Sequence, residues 1–226
     1  MFKNLLQFWK GKDFLGQVLE EFKSMLDDAQ MMFDAVCKRI LENKEEPGLR
    51  DKIYEIDRKV NALQKDIRKR VVEHLTLQPS VDVPMSLLLM SVVKDAERLG
   101  DYAKNLFEVS ALLEKPIDKK KYIELFNNIE DEISQLFEDT KKAFIESDEK
   151  SAAKSWSHKV EINRRCDRIL EKLAKSNLTV NEAVCFTLMA RHFKRIASHL
   201  TNIATSVILP LTDLDYFDER RREDER

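Results

Sequence analysis

Apolar residues recur every three or four positions along most of the chain, which is the period of an amphipathic α-helix. The first such stretch runs from about Phe14 to Ile40, the second follows Pro47-Gly48, and the third runs from Pro84 to about Leu113. Three long helices with short connections predict an antiparallel three-helix bundle in the first half of the chain.

The second half of the chain repeats this plan. A helical pattern follows Asp118 and continues to Phe144, and a break is expected at Ser147-Asp148. Two further helical patterns end near Leu173 and before Pro210. The pattern therefore predicts six long helices, three in each half.

Related segments occupy the last helix of each half. Residues 97–105 read ERLGDYAKN and residues 194–202 read KRIASHLTN, so an arginine, an aliphatic residue and the final asparagine coincide. We infer an internal duplication. The predicted fold is all-α, with two tandem three-helix bundles at residues 1–114 and 115–212, followed by a charged tail at 213–226 that is expected to be disordered.

The composition agrees with a helical protein. The chain has 226 residues, of which 43% are hydrophobic and 35% charged, with only four Gly and five Pro. Sheet proteins need more Gly and Pro for their turns, so sheet folds are excluded. The formal net charge of -2 disfavours non-specific binding of nucleic acid.

The cysteines and the apolar segments favour a cytoplasmic protein. Cys37, Cys166 and Cys185 lie far apart, as expected for reduced thiols in a helical core. The run Met85–Val93 is too short to span a membrane. The first ten residues lack the pattern of a signal peptide.

One pair of acidic residues and one pair of an acid and an amide suggest a cation site. Glu97 and Asp101 are four residues apart, and so are Asp57 and Asn61 in the preceding helix, which places each pair on one helix face. Gly100 costs about 1 kcal/mol in a helix, which indicates close approach of another helix or an ion. Oxygen donors without Cys favour ferric iron, Mn²⁺, Mg²⁺ or Ca²⁺. The alternative is a solvated acidic face paired with nearby cations.

Two other classes of helical bundle fit less well. A di-iron carboxylate enzyme needs Glu-x-x-His pairs, and no histidine of the chain has Glu three residues before it. A phosphotransfer protein would use His192 or His199, but Phe193 and Leu200 follow them where an acidic neighbour is expected. The chain also lacks a glycine-rich phosphate loop, a Ser/His/Asp set and a zinc motif, so we expect no enzymatic activity.

The segment 97–105 resembles the Glu-Arg-Ile-Gly-Asp…Ala-x-Asn signature of the PhoU family of phosphate-uptake regulators. Residues 55–61, which read EIDRKVN, resemble the second-helix motif of that family, and Leu77-Gln78-Pro79 resembles its connector into the third helix. The resemblance covers nearly the whole chain. It implies a cytoplasmic regulator of high-affinity phosphate transport and of sensor kinase signalling.

The partners implied by the resemblance are a phosphate transporter component and a sensor histidine kinase. Nucleic acid is not among them. We expect association with the membrane only through partners, and a homodimer. A module that regulates a sodium-phosphate cotransporter is the alternative that the sequence leaves open.

The resemblance also implies metal binding in the first repeat. The matching residues are Asp57, Glu97 and Asp101, with Asn61 as a fourth ligand. The metal would be an ion or cluster of iron, or otherwise Mn, Mg, Zn or Ca.

The second repeat departs from the family pattern. Lys194 and Ser198 stand where the family has Glu and Asp, and Lys159 and Asn163 stand at the second-helix positions. A cationic side chain in place of a ligand repels a metal ion. We therefore expect no cluster of the family type in the second half.

The N-terminal segment carries an apolar stripe of Phe2, Leu5, Leu6 and Trp9 among lysines. Such a stripe can lie on a membrane surface or pack against protein. We favour packing against the bundle or a partner subunit.

Overall fold

A computed structural model describes residues 13–43 and 46–215 of the chain. Within these residues the fold has seven α-helices, a short 3-10 helix and no strand, which confirms the all-α prediction. The helices are α1 (Asp13–Glu42), α2 (Leu49–Leu77), α3 (Val83–Ala111), α4 (Lys119–Phe126), α5 (Ile129–Glu146), α6 (Glu149–Ala174) and α7 (Val180–Thr205), and the 3-10 helix is Leu211–Asp213. The apolar stripe Phe2–Trp9 and the residues after 215 lie outside the described part.

One predicted helix is divided into two. The pattern between Asp118 and Phe144 was expected to form a single helix, but α4 ends and α5 begins on either side of Asn127 and Asn128. These residues have φ angles of 49° and 55°, in the left-handed region that asparagine tolerates better than most residues. Because apolar residues keep their helical spacing across the break, the pattern alone does not reveal it.

The break is held by a side chain of α6. Arg165 donates hydrogen bonds to the carbonyl oxygens of Phe126 and Asn127 at 2.6 and 2.7 Å, and it also pairs with Glu132. These contacts satisfy carbonyl groups that a helix end leaves without a partner. The second predicted break, at Ser147-Asp148, is confirmed by the end of α5 and the start of α6.

The two three-helix units share one core. Helices α1, α2 and α3 pack together, as do α5, α6 and α7, and the units meet where α3 packs on α7 and α1 on α5. Phe22 of α1 contacts Phe144, with ring centroids 4.6 Å apart, and Phe33 contacts both Phe137 and Phe193 at 5.8 and 6.1 Å. The buried apolar residues of both units form one cluster. The predicted boundary between residues 114 and 115 therefore stays a prediction.

The cysteines behave as small core residues. Cys37, Cys166 and Cys185 are all buried and unpaired. Burial raises the pKa of Cys166 to about 12 and that of Cys37 well above its ordinary value, so both thiols stay protonated. No helix in the described part of the chain combines the length and apolar character that a membrane span requires.

Candidate functional site

Helices α2 and α3 bring the predicted site residues to one face of the first unit. Gly100 of α3 lies against α2, where a Cβ atom at position 100 would meet Val60 at 3.6 Å. That is ordinary van der Waals contact, so the space would also accept alanine. Helix α2 does pack against α3 at Gly100, but at an ordinary distance, so the contact does not account for a glycine at this position.

Lys104 connects the carboxylates of the two helices. Its Nζ atom donates to both carboxylate oxygens of Asp57 at 2.9 Å and to Oδ1 of Asp101 at 3.2 Å. Asp57 is only 8% exposed, and Asn61 contributes a longer hydrogen bond to it at 3.5 Å. Arg98 donates to the other oxygen of Asp101 at 2.8 Å. The ammonium group of Lys104 and the guanidinium group of Arg98 therefore balance the charges of Asp57 and Asp101, two of the residues predicted to bind a metal ion.

The electrostatics of the site favour the charged lysine and disfavour the charged Glu97. Burial acts to lower the pKa of Lys104, but the hydrogen bonds and charges of Asp57 and Asp101 outweigh it and raise that pKa. Burial and the neighbouring charge of Asp101 raise the pKa of Glu97, and Arg98, at 3.7 Å, opposes them only in part. Burial and the charge of Asp101 therefore make the ionised form of Glu97 less favourable than it is in water.

With Lys104 between Asp57 and Asp101, the four predicted ligands are not grouped around one point in this structure. Among the described residues, no three His, Cys, Asp or Glu side chains lie where they could hold one together. The amide nitrogen of Asn61, rather than its oxygen, points toward Asp57. A metal could use both oxygens of Asp57 only if Lys104 moved away. Metal binding by Asp57, Asn61, Glu97 and Asp101 therefore stays a prediction.

The corresponding face of the second unit is built from different contacts. Lys194 of α7 pairs with Asp167 of α6 at 2.6 Å, and the Ser198 hydroxyl donates to the backbone oxygen of Lys194 at 2.9 Å. The side-chain oxygen of Asn163 is buried and accepts no hydrogen bond from any described residue. The two faces thus differ in charge although they derive from the same helical plan.

A polar cluster at the seam between α3 and α7 was missed by the sequence analysis. Asp95 lies 2.6 Å from Nδ1 of His199 and also accepts a hydrogen bond from Asn202 at 3.4 Å. The Tyr102 ring lies between two histidines, 5.5 Å from His199 and 5.7 Å from His192. The internal duplication could have indicated the contact between Tyr102 and His199, since these two residues occupy equivalent positions in the two halves.

This cluster links the two units, and the imidazole rings of His192 and His199 are both engaged in contacts within it. Nδ1 of His199 is engaged by Asp95, and burial lowers the pKa of His192. Both rings also pack on Tyr102. These contacts do not favour the phosphotransfer alternative, which needs an accessible and reactive histidine.

Comparisons with known proteins match both halves of the chain. The family model described as "PhoU domain" matches residues 22–109 and 126–207. A phosphate-specific transport system accessory protein PhoU homolog of Aquifex aeolicus is 27% identical over 189 residues, which cover 78% of this chain and 83% of that protein. The PhoU homolog 1 of Thermotoga maritima is 21% identical over 200 residues, covering 84% and 79%.

Solved structures show the same fold. The crystal structure of PhoU from Pseudomonas aeruginosa superposes with a TM-score of 0.75 at 20% identity, covering 86% of this chain and 95% of that one. The phosphate transport system regulatory protein PhoU from Streptococcus pneumoniae gives 0.71 at 18% identity, covering 87% and 95%.

Proposed function

Because this chain belongs to the PhoU family, we propose that it regulates phosphate uptake by binding a component of a phosphate transporter. The observation that carries the proposal is the family match over both units of the fold. Relatives that cover most of the chain are named as accessory proteins of the phosphate-specific transport system. The protein acts in this proposal by contact and catalyses no reaction.

The finer parts of the proposal follow the same family resemblance. In this proposal the protein works in the cytoplasm as a homodimer and reaches the membrane through its partners. A sensor histidine kinase is the second partner. The shared core supports an action of the whole fold as one rigid body, because the two units cannot separate without exposing their common aromatic residues.

The experiment that tests this proposal is deletion of the gene. Phosphate uptake and alkaline phosphatase output would be measured in phosphate-rich and phosphate-poor medium, with the deletion strain complemented by the wild-type gene as control. We expect the deletion to alter the dependence of both outputs on phosphate. An unchanged response in both media would contradict the proposal.

A further inference from the structure

The exposed face of α7 carries unpaired positive charge. Arg191 and Arg195 are four residues apart on one side of the helix and both are exposed. Neither side chain forms a hydrogen bond or ion pair with a residue in the described part of the chain. The only acidic residue of α7 is Glu182, in the first turn, so the helix itself supplies no acid near them.

Comparison with the equivalent helix of the first unit shows that the unpaired charge is specific to α7. Lys94 and Arg98 occupy the equivalent positions in α3. There Arg98 is paired with Asp101 at 2.8 Å and lies 3.7 Å from Glu97. In α7 the positions of those two acids hold Lys194 and Ser198 instead. Helix α7 therefore lacks the two acids that lie beside the equivalent arginine, Arg98, in α3.

The resulting surface has a defined shape and composition. Val184, Leu188, Arg191 and Arg195 follow one another at spacings of four, three and four, so they form one stripe along α7. Val184 is 49% exposed and Leu188 is half-buried, while Lys194, which is paired with Asp167, lies beside the stripe. We call this stripe together with Lys194 the α7 basic face.

Charge complementarity selects an acidic protein segment as the occupant. The exposed apolar side chains at one end suit an apolar residue of a peptide, and the two arginines can each take a carboxylate in bidentate geometry. A continuous phosphate backbone is a poorer match, because the stripe offers only two arginines and its other two side chains, Val184 and Leu188, are apolar.

We propose that the α7 basic face is the docking surface for an acidic segment of a partner protein. The identity of that partner as a component of the phosphate-transport system rests on the proposed function. The surface itself is inferred from the exposure and spacing of Arg191 and Arg195 and from their lack of partners among the described residues. Exposed like charges one turn apart repel each other, and a bound acidic segment would relieve that repulsion.

The test uses the purified full chain and a fluorescein-labelled peptide of alternating Glu and Leu-Ser units, with Gln in place of Glu in the neutral peptide. Binding is followed by fluorescence anisotropy at low and at physiological salt. The variant is Arg191→Gln with Arg195→Gln, and the matched control is Lys94→Gln with Arg98→Gln. Both variants lose the same formal charge, and thermal melting establishes that each is folded.

We expect the acidic peptide to bind the wild type and the neutral peptide to bind more weakly. The Arg191/Arg195 variant should bind the acidic peptide about fivefold more weakly than wild type at low salt, while the control should stay within about twofold. Equal weakening in both variants would mean that only overall charge matters and would overturn the proposal. Binding to phosphatidylglycerol vesicles but not to the acidic peptide would also overturn it.

The result separates this inference from the proposed function. If the peptide does not bind and the deletion strain still responds abnormally to phosphate, the docking surface is wrong and the regulatory role stands. If the peptide binds as expected and the deletion strain responds normally, the surface stands and its partner lies outside phosphate transport.

Discussion

Replacement of Lys104 by methionine tests the account of the first-unit site. Methionine is similar to the uncharged part of the lysine side chain but lacks the ammonium group that donates to both oxygens of Asp57 and to Asp101. Asp57 is 8% exposed, so its charge would lose its cation in a poorly hydrated place. Removing one partner of a buried pair costs about 3–5 kcal/mol. Because the Lys104 side chain is 20% exposed, water offsets part of this, and we expect a loss of about 2 kcal/mol of unfolding free energy.

The pH dependence of this loss has a defined sign. The pKa of Lys104 is raised in the folded protein. Its contribution is therefore complete below the unfolded lysine value of about 10.4 and is lost as the pH rises through the higher folded value. Urea unfolding followed by circular dichroism at neutral pH measures the full effect. Lys65→Met, at an exposed position of α2, is the control. If Lys104→Met and Lys65→Met are equally stable, the inferred role of Lys104 is wrong.

The same variant also tests the metal prediction. If the Lys104 ammonium group occupies the position that a metal ion would take, Mn²⁺ should raise the melting temperature of Lys104→Met more than that of the wild type. Adding Glu97→Ala and Asp101→Ala should abolish the shift, whereas Lys194→Ala with Ser198→Ala should leave it unchanged. Elemental analysis of the same samples gives the metal content. A shift that survives loss of Glu97 and Asp101 would contradict the assigned ligands.

Three further predictions concern other parts of the fold. Phe33→Ala should cost about 3–5 kcal/mol and leave a single unfolding transition, because Phe33 packs on both units; a separate early transition in urea would contradict the shared core. Asn127→Ala should lower stability by about 1 kcal/mol because its φ is 49°, while Asn127→Gly should not; equal melting temperatures for both would contradict this. Glu97→Gln should stabilise the protein at neutral pH, since the raised pKa of Glu97 means that its charge opposes folding; the gain should vanish as the pH falls through 4.5, and its persistence in acid would refute the cause.

The helices and their duplication could be predicted because apolar spacing reports directly on packing. Residues such as Phe22 and Phe33, which the period placed on the inner face of the first helix, are fully buried. The break at Asn127-Asn128 could not be read from that period, since Phe126 and Ile129 keep helical spacing across it. Two adjacent asparagines are a signal for left-handed backbone, and the hydrophobic pattern outweighed it.

The site could be predicted only in part. Asp57, Glu97 and Asp101 come to one face because i,i+4 spacing and an antiparallel neighbour place them there. Lys104 was not singled out, since nothing in the order of residues shows that its ammonium reaches across to α2. The contact of Asp95 with His199 joins residues far apart in sequence and depends on how α3 crosses α7.

Direct binding to a phosphate transporter is the measurement that tests the central claim most closely. The purified chain would be titrated onto membrane vesicles that contain the phosphate-specific transporter of the same organism, with vesicles from a transporter-deletion strain as control. The account predicts saturable binding at physiological salt that occurs only when the transporter is present. Equal binding to both vesicle preparations, or to neither, would contradict it.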